Sequence, residues 1–155
     1  MMSKISRLFD SLRETSSQAP EKYQLGEVPM FAGRTHHRNS TLIVIISLYC
    51  AVCVELLPKL KSVADVFDGE IVLVTDGDVN EAQAIQQHFD FSFNVLSASA
   101  EEFHNVYRPE ITPYAYVLNA DRTIAYMGHV GEVPTIKGTI AQLGLMPVVE
   151  EVSRS

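Results

Sequence analysis

The chain has no tryptophan and only two cysteines among its 155 residues. Two cysteines cannot build a disulfide framework, and alone they fall short of a four-ligand zinc site. Cationic charge is scarce as well: 12 Lys and Arg stand against 19 Asp and Glu, a formal net charge of −7. Nucleic acid binding needs a cationic surface that displaces counterions from phosphates, so nucleic acid is excluded as a partner. Long apolar runs are missing. The longest, residues 42–46 (LIVII), is of strand length, against the roughly 18–20 residues a membrane span requires. With 7 Pro and 8 Gly, collagen-like and low-complexity chains are also excluded.

What is present suits one globular domain. The hydrophobic fraction of 46% allows a core that needs no metal or covalent staple. Residues 1–24 read as an N-terminal amphipathic segment followed by a polar linker, residues 25–145 as the domain, and 146–155 as a tail. The first segment places Ile5, Leu8, Phe9 and Leu12 at helical spacing. A short helix packing on the domain explains this, and membrane-surface association through residues 3–13 is the alternative. No apolar stretch of secretory type follows the first basic residues, so a cytoplasmic location is expected.

From Thr41 the chain alternates. Residues 41–47 (TLIVIIS) form a buried strand, and residues 51–67 carry apolar side chains at helical spacing up to a turn at Asp68-Gly69. Residues 70–75 (EIVLVT) predict a second buried strand. Asp78 caps a helix over 79–88, and 93–96 is a short strand. Ser99 and Glu102 predict a capping box for a helix ending near Tyr107. Residues 114–119 and 123–127 form a hairpin, and Pro134 opens a last helix that ends near Gly144. Upstream, residues 25–31 predict a short edge strand, with Pro29 tolerated at an edge. The order β-α-β-α-β-α-β-β-α predicts an α/β sandwich of three layers, a mixed central sheet with helices on both faces.

Cys50-Ala51-Val52-Cys53 lies where the first buried strand meets the first helix. Unpaired N–H groups at a helix start favour a thiolate, and a CxxC turn brings two sulfurs within reach of one disulfide. Cys50, outermost, is the expected nucleophile, and Cys53 resolves the mixed disulfide. Two buried core cysteines are the plainer reading. Metal binding is not expected, because His36, His37, His104 and His129 lack finger-like spacing to the pair. Pro113 cannot donate to a ladder, so it must start its strand. Asp76-Gly77-Asp78 reads as a turn with a helix cap.

Residues 41–143 resemble the thioredoxin fold, specifically the thiol-disulfide oxidoreductases of the TlpA/ResA/MauD-like group. The match is carried by TLIVIIS, SLYCAVCVELLPKL, ITPYAYVLN and DRTIAYMGHV. The resemblance implies attack by Cys50, resolution by Cys53 and a cis-proline at Pro113. It places Tyr49, Thr112 and Pro113 at the substrate, and Pro58 as the kink in the active-site helix. It implies a protein or peptide thiol or disulfide as client, an upstream redox donor or acceptor, and no cofactor. The chain departs from the pattern at Tyr49, where Trp is usual. It also has Leu56 where some relatives place Glu, so no general base is assigned to Cys53. Peroxiredoxins, on the same underlying fold, suggest a rival: a thiol peroxidase with Cys50 attacking peroxide, Ser47 orienting it and Arg108 stabilising the thiolate. A non-catalytic binding module on this fold is a further alternative.

Overall fold

The computed structural model describes residues 21–35 and 39–145. The amphipathic segment over residues 3–13, the His36-His37 loop and the tail 146–155 lie outside the described residues. Strands β1 (Thr41–Ile46), β2 (Glu70–Thr75), β3 (Asn94–Ser97), β4 (Tyr114–Leu118) and β5 (Ile124–His129) form one sheet in the order β3-β2-β1-β4-β5. The β1–β2 and β2–β3 pairs are parallel, and β1–β4 and β4–β5 are antiparallel. Every residue of β1 is buried, as its unbroken β-branched run requires of a central strand covered on both faces.

Alternation along β1 sends its side chains into two separate cores. Leu42, Val44 and Ile46 enter a core shared with α1 (Ala51–Leu56), α2 (Leu60–Ala64), α3 (Val79–His88) and α5 (Val133–Gln142), through Leu56, Leu60, Val63, Ile85, Ile136 and Ile140. Ile43 and Ile45 enter a second core with Tyr23, Phe31, Tyr107 and Tyr116. Irregular backbone covers this second face: a 3-10 helix at Met30–Arg34 and α4 (Ala100–Glu102), which widens into a π-turn over Phe103–Tyr107. The three layers are therefore unequal, with regular helices on one face and short turns on the other.

Several sequence expectations need correction. Residues 25–31 do not form a strand. Gly26 and Glu27 make two backbone bonds to Ile124 (2.8 and 2.9 Å), and the chain then turns into the 3-10 helix. Pro29, which has no N–H to offer a ladder, stands at the cap of that helix. The polar stretch read as a linker also packs at its end. Tyr23 is only 2% exposed, and its hydroxyl donates to Val106 O (2.7 Å) while accepting from Met30 N–H (3.1 Å). The long helix predicted over residues 51–67 is interrupted by a 3-10 turn at Leu57–Lys59, where Pro58 removes an intrahelical donor.

Both predicted caps are present. Asp78 with Glu81, and Ser99 with Glu102, form reciprocal capping boxes. At the end of α5, Gly144 adopts φ 71°, and Leu145 N–H reaches back to Ile140 O (3.0 Å), a closure that needs the left-handed region. No helix among the described residues is long and apolar enough to cross a membrane.

Candidate active site

Strand directions decide which loops meet. β1 and β2 run parallel, so their C-terminal ends share one edge of the sheet, and antiparallel β4 begins at that same edge. Residues 47–50, 76–78 and 109–113 therefore converge. At this edge Cys50 caps α1 in an extended conformation, and its Sγ accepts the Cys53 N–H at 3.3 Å. The same Sγ lies 3.6 Å from Thr112 O, to which the thiol donates. The Thr112–Pro113 peptide bond is cis. Pro113 is buried and its carbonyl accepts from Val130 N–H (3.0 Å), which ties the loop to the end of β5.

The two thiols differ although only two residues separate them. Both are free; Cys50 is half-buried, whereas Cys53 is 0% exposed. Burial pushes the Cys50 thiol up, but hydrogen bonds from the Cys53 side chain and backbone, with smaller help from Thr112 and Val52, bring it below its ordinary value. Burial pushes Cys53 the other way, to about 11, and its hydrogen bond with Cys50 adds to the rise. Ionisation is thus made easier at one sulfur and harder at its neighbour. That division suits attack followed by resolution.

The remaining sequence-derived residues fall in different places. Tyr49 is 96% exposed directly beside Cys50, and the exposed Val52 and Ile111 flank it on the α1 and Thr112 segments. Ser47 is turned to structural use: its hydroxyl donates to Asp76 and accepts the Tyr49 N–H (3.2 Å). Arg108 is engaged with the N-terminal segment. Its guanidinium lies 4.5 Å over the Tyr23 ring and donates to the carbonyls of Asn105 and Glu21 (2.8 and 3.0 Å). The peroxidase constellation of Ser47, Arg108 and Cys50 is therefore not assembled. The reason is local: Arg108 ends the π-turn with φ 51°, which directs its side chain to the N-terminal segment. Glu55 is exposed while Leu56 is buried, so α1 turns the carboxylate away from buried Cys53. Among the described residues, no three His, Cys, Asp or Glu side chains are grouped to hold a metal.

Sequence reasoning missed Asp76. Its Oδ1 accepts the Leu48 N–H (2.9 Å) and its Oδ2 accepts the Ser47 hydroxyl (2.5 Å). The signal was in the register, since Ile46 pairs with Thr75 and the next residues on each strand must be neighbours.

No family model matches the sequence, and no curated protein does. Solved structures do match. The thioredoxin domain of a thiol-disulfide oxidoreductase from Bacteroides vulgatus superposes with TM-score 0.57 at 12% identity, covering 79% of this chain and 99% of that one. The fold is that of thioredoxin. StoA from Bacillus subtilis matches with TM-score 0.52 and 16% identity over 67% of this chain and 82% of its own. A secreted Mycobacterium tuberculosis disulfide oxidoreductase homologous to Escherichia coli DsbE matches with TM-score 0.53 and 17% identity, over 68% and 82%. The chain thus combines a thioredoxin-like fold with a close Cys-x-x-Cys pair at the helix start.

Proposed function

We propose that this protein is a thiol-disulfide oxidoreductase acting on a protein or peptide client. The observation that carries the reading is the placement of the two thiols: Cys50 Sγ, half-buried at the helix cap, accepts the Cys53 N–H (3.3 Å) and faces Thr112 O (3.6 Å), with Cys53 fully buried behind it. In the reducing direction, the Cys50 thiolate attacks one sulfur of a client disulfide. The client S–S bond breaks, a mixed disulfide forms, and one client sulfur leaves as thiolate and takes a proton from water. Cys53 then gives up its proton and attacks Cys50 Sγ, releasing the second client sulfur. Two electrons have passed to the client, and Cys50 and Cys53 are joined. An upstream dithiol restores them by the same exchange. Run backwards, the oxidised pair installs a disulfide.

The client docks as an extended segment along Thr112–Pro113, with Tyr49 as an exposed apolar platform beside the reacting sulfur. Peroxidase chemistry is not favoured, given the engagement of Arg108 with Tyr23.

The test is catalysis of insulin disulfide reduction by dithiothreitol. Wild-type protein accelerates it and Cys50→Ser abolishes the acceleration; equal rates with and without wild-type protein would leave only a binding module. The redox potential then sets direction, near about −270 mV for a reductant and near about −120 mV for an oxidant.

A further inference from the structure

We infer that Asp76 is a positioning residue for Cys50, clamping the strand-to-helix loop that presents the nucleophile. The inference rests on the proposed exchange chemistry for its meaning, but its evidence is independent of it. Between the end of β1 and the start of α1, three consecutive backbone N–H groups must be satisfied at the rim of the sheet. Leu48 N–H donates to Asp76 Oδ1 (2.9 Å), Tyr49 N–H to Ser47 Oγ (3.2 Å), and Cys50 N–H to Ser47 O (3.1 Å). Ser47 Oγ can accept from Tyr49 because its own hydrogen goes to Asp76 Oδ2 (2.5 Å). One carboxylate thus anchors both members of the relay, through charge-assisted bonds of the stronger kind.

The neighbouring turn is built to let this happen. A Cβ on Gly77 would lie 2.7 Å from Leu48 Cδ1, which shows how closely the β2 turn packs on the loop. Gly77 is itself held by its N–H to Thr75 Oγ1 (3.1 Å) and by its carbonyl to Ser97 Oγ (2.6 Å). The carboxylate therefore sits on a braced element rather than a free loop. The consequence reaches the sulfur. Cys50 Sγ sits over the Cys53 N–H, 3.3 Å away, and the angle at which the chain enters α1 sets that contact. Releasing residues 47–49 lets Cys50 move off the helix start.

The test compares the pH profile of Cys50 alkylation by iodoacetamide in full-length reduced protein. Asp76→Asn removes the charge but leaves an oxygen for Leu48 N–H and an amide to meet Ser47. Asp76→Ala removes charge and clamp together, so the difference between the two isolates the clamp. The expected result is a midpoint in Asp76→Ala about half a pH unit or more above Asp76→Asn, roughly threefold slower alkylation at neutral pH. Equal midpoints overturn the proposal. Ser47→Ala, which changes no charge, covers the case in which Asp76→Ala does not fold: it raises the midpoint, and an unchanged midpoint overturns the clamp. Tyr49, Cys53, Asp78, Glu110, His129 and Glu132, titratable groups on the segments around this edge, are untouched by all three substitutions. A wild-type Cys50 no more reactive than an unfolded thiol would overturn the exchange reading itself, whereas a reactive Cys50 indifferent to Asp76 overturns only the clamp.

Discussion

The two faces of the sheet solve the same burial problem with different materials. One is aliphatic, covered by α1, α2, α3 and α5, and it holds Cys53 among Leu56, Leu57 and Leu60. The other is aromatic and covered by turns: Phe31 stacks on Tyr107 at 5.3 Å and meets Tyr116 at 5.0 Å, while Tyr23 closes edge-on. Tyrosines let irregular backbone be buried, because the phenols of Tyr23 and Tyr116 reach carbonyls that no ladder satisfies. Tyr116 OH reaches Tyr107 O (2.6 Å) and Arg108 O (3.1 Å), the carbonyls at the end of the π-turn. The aliphatic face raises a thiol by burial; the aromatic face holds a backbone that has no regular pattern.

The largest way to break this contrast is truncation of the anchor on each face. Phe31→Ala is expected to cost about 3–5 kcal/mol and Leu60→Ala about 2–5 kcal/mol, read from urea midpoints. A cost under 1 kcal/mol for Phe31→Ala would mean that the turn-covered face contributes little.

Polarity separates the faces more sharply. Tyr116→Phe keeps the ring but deprives two carbonyls of their donor, with an expected loss of about 1–3 kcal/mol. A stability equal to wild type would show that water replaces the hydroxyl.

A pH effect belongs to the aliphatic face. Folding holds Cys53 protonated to about 11 against an ordinary 9.0. The unfolded chain loses that proton first, so the stability due to Cys53 is full below about pH 9 and is lost as pH rises towards 11. Urea midpoints of the reduced protein should fall through that window more steeply than those of Cys53→Ala. Parallel profiles would contradict burial as the cause.

The smallest effect concerns Arg108. Its removal should cost about 1 kcal/mol, from the lost contact with Tyr23, and leave Cys50 alkylation at the wild-type rate. A large fall in alkylation would return Arg108 to the thiol and revive the peroxidase reading.

The two faces also differ in how far they could be read from sequence. Helical spacing over residues 51–67 and the cap at Asp78 announced helices of the aliphatic face, and Ser99 announced the cap of the short α4 on the other. The aromatic face carries no such period. Residues 25–31 suggest an edge strand, yet past Pro29 the chain turns into the 3-10 helix at Met30–Arg34, with Phe31 packed against Tyr116. The same contrast holds within the site. The CxxC and its helix were legible as a local pattern, whereas the roles suggested for Ser47 and Arg108 depended on where distant chain segments lie.

From sequence alone came the order of elements, the mixed sheet and the position of Cys50 and Cys53 at a helix start, because these follow from side-chain spacing over a few residues. Tertiary structure decided how completely Cys53 is shielded, that Arg108 serves Tyr23, and that Asp76 meets Ser47 across 29 residues of chain. Those outcomes depend on strand register and on how deeply a group is withdrawn from water. Both are properties of packed neighbours and leave no mark on local spacing.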